Sequence, residues 1–154
     1  MKTYTLHREQ WISQPRQTVF NFFSQPENLE CITPPWLNFR ILTPGVEMQR
    51  GSIIEYKLRI RGLPVRWRTV IEEWNPPLHF TDVQLKGPYK LWRHTHRFAE
   101  SGGGTAMEDT VVYALPFGPI GRIVHRLQVA RDVNRVFEYR NQHIEQAISE
   151  WLKA

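Results

Sequence analysis

The chain has 154 residues, 41% apolar and 23% charged, with a formal net charge of +5; this composition fits one globular domain and excludes a disordered or fibrous chain. A single cysteine, Cys31, excludes an intrachain disulfide, and no run approaches the roughly 18 apolar residues of a membrane span. The opening MKTYTLHREQ has no apolar leader core, so the expectation is a soluble, cytoplasmic protein.

Tyr4 to Ile12 mixes Thr, Tyr, Trp and Ile without helix caps and reads as a strand. Pro15 suits the first turn of a helix, to which Val19, Phe20, Phe22 and Phe23 give an apolar side. SQPE, Ser24 to Glu27, has the form of a capping box and predicts a second short helix through Leu29 to Ile32, ended by TPPW. Leu37 to Leu42 is read as a strand. From Ser52 to Arg61, Ile54, Tyr56, Leu58 and Ile60 alternate with Glu55, Lys57, Arg59 and Arg61, a half-buried strand. GLPV turns the chain into Val65 to Trp74, NPP breaks that strand, and Phe80 to Leu85 follows. KGPY leads into KLWRHTHRF, ESGGG turns again, and Thr105 to Ala114 closes an antiparallel meander.

The last third is helical. Val133, Phe137, Ile144, Ala147, Ile148 and Trp151 recur at helical spacing, whereas Ile120, Ile123, Val124 and Leu127 point about a third of a turn away. A kink or break is expected near residues 126 to 130.

The order is one strand, two short helices, six strands and a long C-terminal helix, an α+β domain over residues 1–154. With it come the segments ITPPWLNFRILTP, GLPVRWRTVIEEW, DVQLKGPYKLWRHTHRF and LPFGPIGRIVHRL. In these features the chain resembles the START-like (SRPBCC) superfamily, and within it a bacterial group labelled cyclase/dehydrase-like or ligand-binding. The resemblance implies a helix-grip fold, a curved seven-stranded antiparallel sheet wrapped around the C-terminal helix, with a ligand cavity between them.

Three constellations could carry chemistry. Alternation puts Trp92, His94, His96 and Phe98 on one inward strand face. A register with His96 opposite Met107, His94 opposite Asp109 and Trp92 opposite Val111 brings Asp109 to His94, a carboxylate that would fix its tautomer. Three readings stay open: a satisfied polar patch of a cavity, an acid/base pair of His94 with Asp109, or a metal site in which Asp109 or Asp82 joins the histidines. No further His or Cys is well placed for a ligand, so neither a metal nor another cofactor is expected; SGGGT is a hairpin turn without the strand-to-helix setting of a phosphate loop.

The second constellation pairs Arg61 with Arg66 and Arg59 with Arg68, which gathers four guanidinium groups on one outward face. That face is either a solvated surface neutralised by Glu55 and Glu72 or a dock for an anionic partner: an acidic membrane, a phosphorylated ligand or an acidic protein. Nucleic acid is not expected, because Trp67 points inward in this register, away from the arginines. The third is Arg140, inside the apolar stripe of the last helix; it either pairs with Glu27 or Glu30 or anchors a ligand carboxylate by its bidentate fork. Cys31 reads as a small core residue.

The cavity would then be lined by Tyr56, Leu58, Trp67, Trp92, His94, His96, Asp109, Tyr113 and Arg140. Binding of a small apolar or aromatic, lipid-like molecule is the leading functional expectation. A cyclase/dehydrase-type enzyme using His94 and Asp109, and a lipid or quinone chaperone docking through the arginine hairpin, are the alternatives.

Overall fold

The computed structural model describes residues 1–154. Its seven strands are β1 (Tyr4–Ile12), β2 (Arg40–Ile41), β3 (Ile53–Ile60), β4 (Leu63–Asn75), β5 (His79–Lys86), β6 (Leu91–Ser101) and β7 (Gly104–Ala114). They form one antiparallel sheet in the order β1-β7-β6-β5-β4-β3-β2. The chain after β1 must therefore cross to the opposite edge before the meander begins. Helices α1 (Arg16–Phe23) and α2 (Leu29–Ile32), with 3-10 turns at Pro26–Asn28 and Pro35–Leu37, make that crossing. Register shifts at Arg68/Thr69 and Ile71/Glu73 interrupt β4; such bulges bend a sheet. The last element begins as α3 (Gly118–Val124), passes through a π turn at His125–Val129 and continues as α4 (Ala130–Lys153). The π turn sits where the two apolar phases disagree, because one wide turn resets the side of the helix that meets the sheet.

The larger apolar cluster joins Phe20, Phe22 and Phe23 of α1 to Ile144, Ala147 and Ile148 of α4 over Ile12, Ile71, Phe98 and Met107 of the sheet. A smaller one holds Leu6, Val111, Tyr113, Val133 and Phe137. Full burial of each large apolar side chain contributes roughly 1.5–3 kcal/mol. Between the two clusters lies a polar interval on three elements at once. Asp109 falls between Met107 and Val111 on β7, His96 and His94 between Phe98 and Trp92 on β6, and Arg140 between Phe137 and Ile144 on α4. The functional geometry is built in that interval.

The structure corrects several local expectations. The β6–β7 register is displaced by two residues: His96 faces Asp109, His94 faces Val111 and Trp92 faces Tyr113. Gly102 and Gly103, at φ +53° and +80°, make a two-residue turn that Ser101 and Gly104 close, and a displacement by two keeps every side chain on its face. In β3–β4 the turn is Arg61-Gly62, at φ +52° and +79°, instead of GLPV. Arg59 therefore faces Pro64, Lys57 faces Arg66 and Glu55 faces Arg68, so the four arginines do not pair as expected. Ser24 does not cap the following helix; its hydroxyl donates back to the Phe20 carbonyl at 2.8 Å. The strand expected at Leu37–Leu42 shrinks to Arg40–Ile41 beside the left-handed residue Asn38, and Cys31 is exposed instead of packed.

Candidate functional site

A cavity of about 500 Å³ opens between the sheet and α4. Tyr56, Leu58, Trp67, Trp92, His94, His96 and Arg140 line it, as does Tyr89. Tyr56 and Trp67 are direct cross-strand partners with rings 5.6 Å apart and nearly parallel, and Trp92 meets Trp67 edge-on at 5.4 Å. One wall is thus a continuous aromatic surface, set by every second residue of β3, β4 and β6 facing inward. Two expected residues lie elsewhere. Asp109 is buried behind the histidines, and Tyr113 sits outside the lining, where its hydroxyl and His125 Nε2 share a 2.7 Å hydrogen bond.

The floor is charged. Asp109 Oδ1 accepts from His94 Nε2 at 2.7 Å, and Asp82 Oδ2 accepts from His96 Nε2 at 2.8 Å. His96 Nδ1 lies 3.3 Å from Asp109 Oδ1, off line for a hydrogen bond, and Arg140 Nη1 lies 3.7 Å from the same oxygen. The two imidazoles stack at 3.7 Å, and His96 also stacks on Phe80 at 4.1 Å.

The environment drives the two histidines apart. For His94, burial and the neighbouring His96 charge together outweigh Asp109 and lower its pKa. For His96, burial also opposes the charge, but the close carboxylates of Asp109 and Asp82 prevail and raise it. Both carboxyls are buried, which alone would raise them; the histidines hold Asp82 and Asp109 below the usual range instead. The raised His96 favours its imidazolium, and with His96 protonated the two carboxylates, His96 and guanidinium Arg140 carry no net charge. Neutral His94 donates from Nε2 and keeps an Nδ1 lone pair.

Four buried nitrogens have no hydrogen-bond partner: Arg140 Nε, Arg140 Nη1 and Trp67 Nε1, which can only donate, and His96 Nδ1, which lies close to Asp109. Leaving such a group unsatisfied costs about 1–3 kcal/mol. The pairing expected for Arg140 does not form. Glu27 accepts from the Gly45 amide and Glu30 pairs with Arg40. Asp82, His94 and His96 stand close enough together to ligate a cation, but both His Nε2 atoms already face carboxylates.

The four arginines of the β3–β4 hairpin disperse. Arg61 reaches across the cavity mouth to both oxygens of Asp132, at 3.1 and 3.0 Å. Arg68 pairs with Glu55, Arg59 donates to the Gly62 carbonyl, and Arg66 is exposed opposite Lys57. Sequence reasoning missed Tyr89, Asp82 as the partner of His96, and the Arg61–Asp132 contact. Tyr89 follows the turn prolyl of KGPY, and Gln84 holds it through two hydrogen bonds, to its carbonyl and from its amide. Asp82 would have followed from the β5–β6 register, in which it faces His94.

The polyketide cyclase / dehydrase and lipid transport family matches residues 12–138. No curated protein sequence matches the chain significantly. Among solved structures, TTHA0849 from Thermus thermophilus aligns with a TM-score of 0.78 at 18% identity, over 96% of this chain and 98% of that one. Ara h 8.0201 aligns at 0.71 and 13%, over 97% and 99%. Major latex-like protein 151 from Panax ginseng aligns at 0.59 and 17%, over 85% and 95%. At these identities the likeness is one of fold: a curved sheet gripping a long helix.

Proposed function

The chain belongs to the polyketide cyclase / dehydrase and lipid transport family of the START-like superfamily, a hydrophobic ligand-binding fold, and we propose that it binds a flat, largely apolar molecule bearing at least one acceptor oxygen. The carrying observation is the trio of buried donor nitrogens on Arg140 and Trp67, unpartnered beside an aromatic wall. A carbonyl, enolate or carboxylate oxygen would satisfy them, while Tyr56, Trp67 and Trp92 cover the carbon skeleton. With His96 protonated the floor is neutral, and a neutral carbonyl compound then suits it without a further counter-ion.

Native mass spectrometry of the purified protein identifies what it retains, and titration with anilinonaphthalene sulfonate reads the cavity directly. Arg140→Met should weaken dye binding roughly tenfold to a hundredfold, the value of a charge-assisted hydrogen bond of about 1.5–3 kcal/mol. Trp67→Phe, which keeps the ring and removes the donor, should weaken it by less. Unchanged affinity in both variants would sink the reading.

A second reading has its own support in the opposite shifts of the stacked histidines, since groups driven apart in pKa divide acid and base roles. As a cyclase or dehydrase, the protein would use His94 Nδ1 to take a proton from a carbon next to the bound carbonyl, with Arg140 holding the resulting enolate oxygen. Turnover would then be level through neutral pH and fall only as acid protonates His94 below its ordinary range. Asp109→Asn would abolish it.

A further inference from the structure

The largest run of exposed apolar side chains lies on α3 and the π turn, not in the cavity wall. Phe117 is 80% exposed, Leu127 75% and Ile120 66%, and Ile123 and Val124 stand open beside them on α3 and the π turn. This face is held outward by construction. Gly121, about 100° round α3 from Ile120, is buried so closely that a Cβ there would collide with the Pro116 carbonyl. Phe117 itself sits at φ +70°, a conformation unfavourable for a bulky residue, yet its ring packs on nothing in this chain.

The charge around the face has one sign. From Thr110 to Arg131 there is no acidic residue, while Arg122, Arg126 and Arg131 are exposed along the segment. Lys2 adds a fourth cation, lying over the Tyr4 ring that stacks on His125. The next carboxylate, Asp132, is already held by Arg61.

We propose that this helix seats the protein on an anionic lipid bilayer, with Phe117, Ile120 and Leu127 in the headgroup–acyl boundary and the arginines at the phosphates. An outward apolar helix face flanked by cations is the pattern of an interfacial helix. A second copy of the chain fits less well. A two-fold contact would set Arg122 and Arg126 against their own copies with no carboxylate between them. The seat is continuous with the cavity's mouth, because Val129 of the π turn, Asp132, Arg61 and Gly62 all line that rim. The proposed seat lies on α3 and not on the β3–β4 arginines, and it does not depend on what occupies the cavity.

The test is co-sedimentation with vesicles of phosphatidylcholine alone or mixed with phosphatidylserine. The mixed vesicles should capture the protein at about 0.1 M salt and release most of it at about 1 M, where the Debye length has shrunk to ~3 Å. Arg122→Gln and Arg126→Gln should each lower the partition about fivefold, the equivalent of about 1 kcal/mol per cation near the surface. Ile120→Ser with Leu127→Ser should lower it at least tenfold, and Arg66→Gln with Arg68→Gln should leave it unchanged. Melting curves check folding, and the arginine variants carry the test by themselves should the serine variant unfold. Equal capture by both vesicle types at low salt overturns the proposal. So does a self-association lost in the serine variant, with no vesicle binding.

Discussion

Replacing Asp109 by Asn isolates the charge on which the cavity floor converges. Its Oδ1 accepts from His94 at 2.7 Å and lies within 3.3 Å of His96 and 3.7 Å of Arg140. Asn keeps an acceptor for His94 but leaves Asp82 as the sole anion facing two cations. Removing one partner of a buried ionic pair costs about 3–5 kcal/mol; the retained acceptor and the nearby cavity place this case at the lower end, about 3 kcal/mol. For a chain of this length that lowers the Tm by roughly 6–12 °C. The sign with pH follows from His96. Its folded pKa is raised above the ordinary 6.5, so it contributes stability that is fully present below 6.5 and lost as pH rises through the folded value. Taking away Asp109 removes part of that contribution. The deficit of the variant is therefore largest below pH 6.5 and shrinks as pH rises through the folded value, where His96 loses its proton. Thermal unfolding followed by tryptophan fluorescence at pH 6 and pH 8.5 measures it. A Tm loss equal at the two pH values, or a loss below about 1 kcal/mol at pH 6, would refute the assignment of an imidazolium held between two carboxylates.

Phe22→Ala removes a fully buried ring from the main cluster and should cost about 3–5 kcal/mol without altering dye affinity, as chemical denaturation and dye titration would show. Asp132→Asn breaks the exposed contact with Arg61, worth less than about 1 kcal/mol; stopped-flow mixing should show faster dye association and dissociation with almost unchanged Tm. Lowering the pH below about 4 should destabilise the native chain, since Asp82 and Asp109 have depressed folded pKa values, and stability present above their unfolded pKa is lost as pH falls through the folded ones. A flat stability profile from pH 5 to pH 2 would contradict that.

Much of this protein was legible in local periodicity. Alternation by two placed Tyr56, Leu58, Trp67, Trp92, His94 and His96 on inward faces, and a mismatch of helical phase located the break before α4 to within a few residues. Both patterns follow from backbone geometry that each segment carries by itself. Register does not. Whether a hairpin turns on Arg61-Gly62 or on GLPV depends on left-handed dihedrals at two residues, and that choice moved the β3–β4 pairing by four positions and dispersed the arginines. The second carboxylate at His96 waited on the β5–β6 register, and the neighbours of Arg140 lay further out of reach, because α4 and β7 meet only when the sheet curves around the helix. The apolar residues of α3 were visible as a stripe, but their direction was not: only the burial of Gly121 against Pro116 turns that stripe outward to solvent.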